Sequence, residues 1–277
     1  MNKIRKHIKK NTRIKTKQLM RPALYSLFMI SGTIAAVNLM LTMGRYHAAQ
    51  DEYAALREYP PAIEDTAPSA QPEREKEAAA PVAVMSSGQS QAAVPTQQSA
   101  APQPRQDFSE INPDYVGWIR IEGTAVDYPV MQGRDNERYI DTTFRGEKNR
   151  SGAIFMDCDC REGFSAPLAI LYGHNMKDGS MFASLHRYRN NDFLTEHPVI
   201  TITVPDGETL TYRIFAAKVT DIYDEAFALR KKDQQTVDAY CAKLNKPESP
   251  GQVLVLSTCM SGGNEDARLL VFAAREK

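Results

Sequence analysis

A cysteine and an arginine bracket a loop near the end of the chain, in VLVLSTCMSGGNEDARLLVFAA (Val253–Ala274). Cys259 closes one apolar, β-branched-rich run and Arg268 opens the next, with the polar segment Met260–Ala267 between them. A thiol placed there has two readings. It packs as a small hydrophobe, the common fate of a free cysteine, or it acts as a nucleophile, which requires a route to thiolate and a group to manage the proton on a departing amine. If the two runs pair as antiparallel strands, the last residue of one faces the first of the next, and Cys259 and Arg268 become neighbours. An arginine at that point can receive the oxyanion of a tetrahedral intermediate or hold a peptide carbonyl, and it cannot itself be deprotonated.

The proton-handling group has few candidates, because the chain holds five histidines. His7 and His47 flank a long apolar segment and are remote from Cys259 in sequence. His197 precedes a proline at a strand start and reads as a loop residue, and His186 reads as a surface or partly packed side chain. His174 is placed differently. It follows the apolar run LAILY and a glycine, so it stands at the end of a buried strand as Cys259 does. Two strand ends on one barrel rim can bring such side chains together. Cys241 falls on the apolar stripe of a helix and is given no chemistry. Cys158 and Cys160 are too close to bridge each other comfortably. With His174 they have the residue types of a zinc set, but zinc would occupy the imidazole that acid–base chemistry needs, so no metal is assigned to them.

The elements that must position these groups are mostly strands. Eight runs rich in β-branched and aromatic residues are separated by turn residues: 117–121, 126–130, 152–156, 168–172, 199–204, 209–219, 253–257 and 268–274. Asp206-Gly207 between the fifth and sixth is a hairpin signal, and closing the set into a barrel would leave no exposed edge. A helix is expected over 232–244, where Val237, Tyr240, Cys241 and Leu244 share one face, and a shorter one over 180–188.

Charge is distributed unevenly. The net charge is zero, yet the first 21 residues carry nine Lys or Arg and no acid, so the remainder is net −9. An acidic body argues against a nucleic-acid partner. The basic segment, residues 1–21, precedes Pro22–Met43, 22 residues without a charge, which as a helix would span about 33 Å and cross a bilayer core of about 30 Å. Positive flanks stay cytoplasmic. The expectation is therefore a single-pass anchor at residues 22–43 with the N-terminus inside. Residues 44–106 are expected to form an extracellular disordered spacer, with some helical character over Tyr46–Tyr59, since from Pro61 to Gln106 the composition is dominated by Ala, Pro, Gln, Ser and Glu without an aromatic residue. The folded domain is expected over residues 107–277.

LYGHNM, then LSTC, then an arginine opening a terminal apolar strand resemble the signature of sortases, cysteine transpeptidases that attach proteins to the bacterial cell wall. GWIRIEGTAVDYPVMQGRDNERYI, SGAIFMD and NMKDGSMF are similar to class B. The resemblance implies a mainly β fold: a closed eight-stranded sortase-type barrel with an N-terminal helical addition near 107–115 and a long helix between the sixth and seventh strands. It implies Cys259 as nucleophile, His174 as acid and base, Arg268 as oxyanion or substrate donor, and Ser257 lining the sorting-signal groove. The implied partners are secreted proteins carrying a C-terminal sorting signal, of NPQTN or NPxTG type, and an amine of a peptidoglycan precursor or of a pilin as acceptor. A wall peptidase or amidase of papain type would place its cysteine before its histidine, the reverse of the order here. An anchored extracellular binding module, with Cys259 as a core residue, is the non-enzymatic alternative.

Overall fold

The computed structural model describes residues 2–58, 108–244, 250–262 and 264–276, with side chains from Tyr25 onward. Helix α1 runs Asn2–Arg57 and the one-turn helix α2 runs Phe108–Ile111. The strands are β1 Tyr115–Arg120, β2 Asp127–Met131, β3 Ile154–Met156, β4 Leu168–Tyr172, β5 Val199–Thr203, β6 Thr209–Asp221, β7 Val253–Cys259 and β8 Ala267–Arg275. Helix α3 (Asn191–Glu196) precedes β5, and α4 (Ala226–Leu229) and α5 (Gln234–Lys243) lie between β6 and β7. Each of the eight expected strands is present. The expected short helix over 180–188 is a 3-10 stretch, Ala183–Arg189, and α3 after it had no clear periodic signal.

The strands close a barrel in the order β1-β2-β3-β4-β7-β8-β6-β5. Two pairs are parallel, β2 with β3 and β4 with β7; the others are antiparallel. Strand side chains alternate between faces, and β7 and β8 show what each face meets. Leu254, Leu256, Leu269, Val271 and Ala273 enter the barrel core. Val253, Val255, Leu270 and Phe272 point outward, where Ala226 and Leu229 of α4 and Val237, Tyr240 and Cys241 of α5 cover them. Burial on both faces is why β7 reads as an unbroken apolar run. Helix α5 begins at Asp233, whose side chain accepts from the Thr236 N–H (2.8 Å) and caps it.

The segment after the apolar stretch departs from expectation. Residues 44–57, expected as the start of a disordered spacer, are the last turns of α1 and pack on the barrel. Ala49, Tyr53 and Leu56, at i, i+4 and i+7, are buried in the main core. The Tyr53 hydroxyl donates to the Gly152 carbonyl (2.7 Å), and Arg57 Nε donates to the Asp127 carbonyl (2.8 Å) with its guanidinium 4.5 Å from the Tyr128 ring centre. Gln50 bonds Asp178, on the loop that follows His174. Three spaced apolar residues among charged ones are enough to dock a helix; the helical character of Tyr46–Tyr59 is legible in the sequence, its docking on the barrel is not. Leu56 and Phe108 both belong to the same core. Residues 59–107, the rest of the expected spacer, lie outside the described residues. Upstream, α1 carries an exposed stretch from Tyr25 that is long and apolar enough to cross a membrane, with Leu27, Phe28 and Met40 each more than half exposed.

Candidate active site

Three strand ends form the site. In the β7–β8 pair Cys259 stands directly opposite Arg268. In the parallel β4–β7 pair Tyr172 stands opposite Ser257, and the Gly173 N–H donates to the Ser257 carbonyl (3.2 Å), so the register continues past the end of β4. His174 follows two residues past the end of β4, and the next residue, Asn175, bonds the Cys259 carbonyl (3.1 Å), so the backbone at His174 lies near the end of β7. Alternation puts Cys259 and Arg268 on the outward face shared by Val255 and Phe272, just past the cover of α4 and α5. Cys259 and Arg268 therefore face each other at the open end of one face, with His174 just past the end of the neighbouring strand β4.

Gly173 is a glycine for a steric reason. A Cβ there would lie 2.5 Å from Ile154 Cδ1 and 2.7 Å from the Phe182 ring, so only a bare backbone lets the turn into His174 pass. His174 is half-buried, and its Nε2 lies 2.7 Å from the Ile140 carbonyl oxygen. A carbonyl only accepts, so Nε2 carries the proton in this bond and Nδ1 is the nitrogen left for proton exchange. Arg268 is also half-buried. Its Nη1 donates to the Glu265 (2.6 Å) and Ala267 (3.0 Å) carbonyls, which holds the guanidinium against the loop beside Cys259.

Of the four cysteines, all without a disulfide, Cys259 is the exposed one. Cys160 and Cys241 are fully buried, and burial pushes each thiol up to about 11. Cys158 is also raised, by burial and by Asp157 and Asp159 beside it. The zinc set weighed for Cys158, Cys160 and His174 has no common centre: Cys160 Sγ faces the Leu168 carbonyl (3.9 Å) while His174 Nε2 is on Ile140. Asp157, Cys158 and Asp159 do gather, but both carboxylates are already paired with Arg230, at 3.0 and 3.3 Å, and Asp159 also with Lys231. Ser257, expected to line a groove, is 2% exposed. It sits one step beneath Cys259 on the same face, enclosed in the sheet by tight packing, and so supports the strand instead of lining an open surface.

Two side chains at the site were not singled out from sequence. Asn175 Nδ2 donates to the Cys259 carbonyl (3.1 Å) and lies 2.9 Å from Ser261 Oγ, and His186 Nε2 reaches the same Cys259 carbonyl at 3.1 Å. Asn175 had one signal available, its place beside His174. His186 had none, because only the fold of the 3-10 stretch turns it toward β7.

Beneath this site lies a buried polar network. Asp157, 1% exposed, accepts from Tyr172 Oη (2.8 Å), Asn136 Nδ2 (3.2 Å) and the Asp159 N–H (2.9 Å) besides its pair with Arg230. Burial and then the Asp157 charge push the Tyr172 hydroxyl well above its ordinary value, so it stays a donor. The network ties Arg230, in the connection after α4, to β4 just ahead of His174. Beside it is a cavity of about 490 Å³ lined by Tyr223, Phe227, Arg230 and Lys232.

Comparison with known proteins agrees with this geometry. The family model for the sortase domain matches residues 119–276. The chain is 38% identical over 166 residues to Sortase B of Listeria monocytogenes, an alignment covering 55% of this chain and 65% of that one, so it spans just under two thirds of that relative's length. It is 28% identical over 179 residues to Sortase B of Staphylococcus aureus, covering 61% and 73%. Among solved structures, sortase B of Clostridium perfringens superposes with a TM-score of 0.56 at 29% identity, covering 61% of this chain and 98% of that one. A Staphylococcus aureus sortase B–substrate complex gives 0.54 at 28% identity, covering 61% and 83%.

Proposed function

The chain belongs to the sortase family, in its class B, and from that premise we propose that it is a membrane-anchored cysteine transpeptidase acting at the cell surface. The observation that supports the reading most is Cys259, the exposed thiol, standing opposite Arg268 at the end of the β7–β8 pair, with His174 just past the end of the neighbouring β4. The Cys259 thiolate attacks the carbonyl carbon of the threonine in a C-terminal sorting signal. The oxygen becomes an oxyanion and is received by the Arg268 guanidinium. The carbon–nitrogen bond then breaks, the departing amine takes the proton from His174 Nδ1, and a thioester on Cys259 remains. An acceptor amine from a wall precursor gives its proton to His174, attacks the thioester, and expels the Cys259 thiolate. The bond to Ile140 supports this division of labour by keeping Nε2 occupied while Nδ1 cycles.

The basic residues ahead of the apolar stretch support an N-terminus on the cytoplasmic side and a catalytic domain outside. The test uses the full chain in detergent micelles with NPQTN-, NPxTG- and LPxTG-type peptides and a free amine, read by mass spectrometry. Amine-capped product is expected, with none from Cys259→Ala and a loss of about 10²–10³ in kcat for Arg268→Ala. Normal turnover by Cys259→Ala would end the nucleophile assignment. Cleavage without capped product would make the protein a hydrolase, and capping only by a pilin-derived lysine peptide would move the acceptor from the wall to a pilin.

A further inference from the structure

The Cys259 carbonyl receives two side chains from outside its own strand pair. Asn175, which immediately follows His174, reaches it from one side, and His186, from the 3-10 stretch Ala183–Arg189, reaches it from another, both at 3.1 Å. A carbonyl oxygen has two lone pairs, so both are engaged by side-chain donors. Because a carbonyl cannot donate, His186 holds its proton on Nε2. The site of this convergence is the last residue of β7, where the chain enters the exposed loop 260–266. The strand-end contact next to it is the bond from the Met260 N–H to the Ala267 carbonyl (3.0 Å).

We infer that Asn175 and His186 are positioning residues for the nucleophile, clamping the Cys259 peptide plane so that the thiol stays in strand geometry beside His174. This rests on the reading of Cys259 as nucleophile. The orientation of the Cys259 carbonyl fixes that residue's ψ, and with it the direction in which the side chain leaves the strand. Without a clamp, a strand end leading into an exposed loop frays, and a misplacement of about 1 Å costs on the order of 10²-fold in rate. Asn175 adds a second constraint, because the same bond that holds Cys259 also holds the backbone next to His174. The two reacting groups are thereby locked to each other and not merely to the barrel.

The experiment compares the full chain in detergent with His186→Ala, His186→Gln, Asn175→Ala and the His186→Ala/Asn175→Ala double variant, in two independent readouts. The first is amide hydrogen exchange of the segment 257–262, which needs no turnover. Exchange rises in each alanine variant, rises most in the double variant, and returns toward that of the unsubstituted chain in His186→Gln, whose amide can still donate. The second is steady-state transpeptidation. Each alanine variant loses about tenfold in kcat with little change in KM, the glutamine variant recovers to within about threefold, and the double variant loses more than the product of the singles because no donor is left. Unchanged exchange in the double variant overturns the clamp, whatever the activity. A fall in kcat matched by an equal loss of global thermal stability, with no rescue by glutamine, also overturns it in favour of a merely structural role. Absence of turnover by the unsubstituted chain refutes the transpeptidase reading, and the exchange readout still decides the clamp.

Discussion

Removing Arg230 should weaken the whole domain by an amount the geometry sets. Its partner Asp157 is 1% exposed and its own side chain 22% exposed, with Nε 3.0 Å from the carboxylate. Breaking a buried pair by removing one partner costs about 3–5 kcal/mol, because a charge is left uncompensated. Here three further donors stay on Asp157, and Arg230 keeps some contact with water, so Arg230→Met should cost about 2–3 kcal/mol. For a domain of this size that is a fall of roughly 4–12 °C in Tm. Asp157→Asn keeps an acceptor for the Tyr172 hydroxyl but removes the charge, so combining it with Arg230→Met should restore stability, with a coupling of at least about 1 kcal/mol in the double-mutant cycle. The assay is urea unfolding of the full chain in micelles, followed by fluorescence of the single tryptophan, Trp118, which is buried with its indole N–H on Asp127 (2.7 Å). A cost below about 0.5 kcal/mol, or coupling near zero, would mean the pair behaves like an exposed surface bridge and would refute the argument from burial.

Further consequences can be measured with the same material. Gly173→Ala should cut kcat by about tenfold or more, because the new methyl must displace Ile154 and the Phe182 ring directly ahead of His174, an overpacking that costs about 1–3 kcal/mol; wild-type kinetics would show that the turn has room to give. Asp224 supplies a pH test. Burial opposes its ionisation, but hydrogen bonds from Lys218, Thr220, the Ala226 N–H and Tyr240 outweigh that and hold the carboxyl well below its ordinary value of 3.8. A depressed folded-state value stabilises above the unfolded one and loses that stabilisation as pH falls. The stability gap between the unsubstituted chain and Asp224→Asn should therefore be flat above about pH 5 and narrow below about pH 4, as urea titrations across that range would show. A gap that widens on acidification would reverse the assigned sign.

Much of the site was legible because strand physics is legible. A run such as VLVLS needs burial on both faces, and LAILY needs the same, so two strand ends were legible; that made His174, Cys259 and Arg268 candidates, and their roles rested on the resemblance to sortases. The resemblance to sortases added the helix between the sixth and seventh strands and the residue roles; the order of the strands around the barrel came only with the structure. What stayed hidden depends on contacts far apart in sequence. Docking of α1 rests on Ala49, Tyr53 and Leu56 entering the barrel core, with Tyr53 against Tyr128 and the Gly152 carbonyl, and the local pattern does not announce those partners. His186 turns toward the Cys259 carbonyl only because the 3-10 stretch bends there. Ser257 looked like a groove residue by its distance from Cys259, but depth in the sheet, not spacing, decides exposure. Arg230 reads as one more surface charge until Asp157 and Asp159 are seen beneath it.

The proposed mechanism puts the acyl group on Cys259. The most direct test incubates the full chain with a sorting-signal peptide in the absence of amine, quenches in acid, and locates the added mass by peptide mapping, with iodoacetamide labelling at pH 8 as the companion measurement. An acyl adduct on Cys259 alone is expected, blocked by prior alkylation of Cys259, since thiols at about 11 such as Cys160 and Cys241 hold only about a thousandth of their population as thiolate at that pH. An adduct on another residue, or no adduct with any peptide together with a Cys259 that resists iodoacetamide, would contradict it.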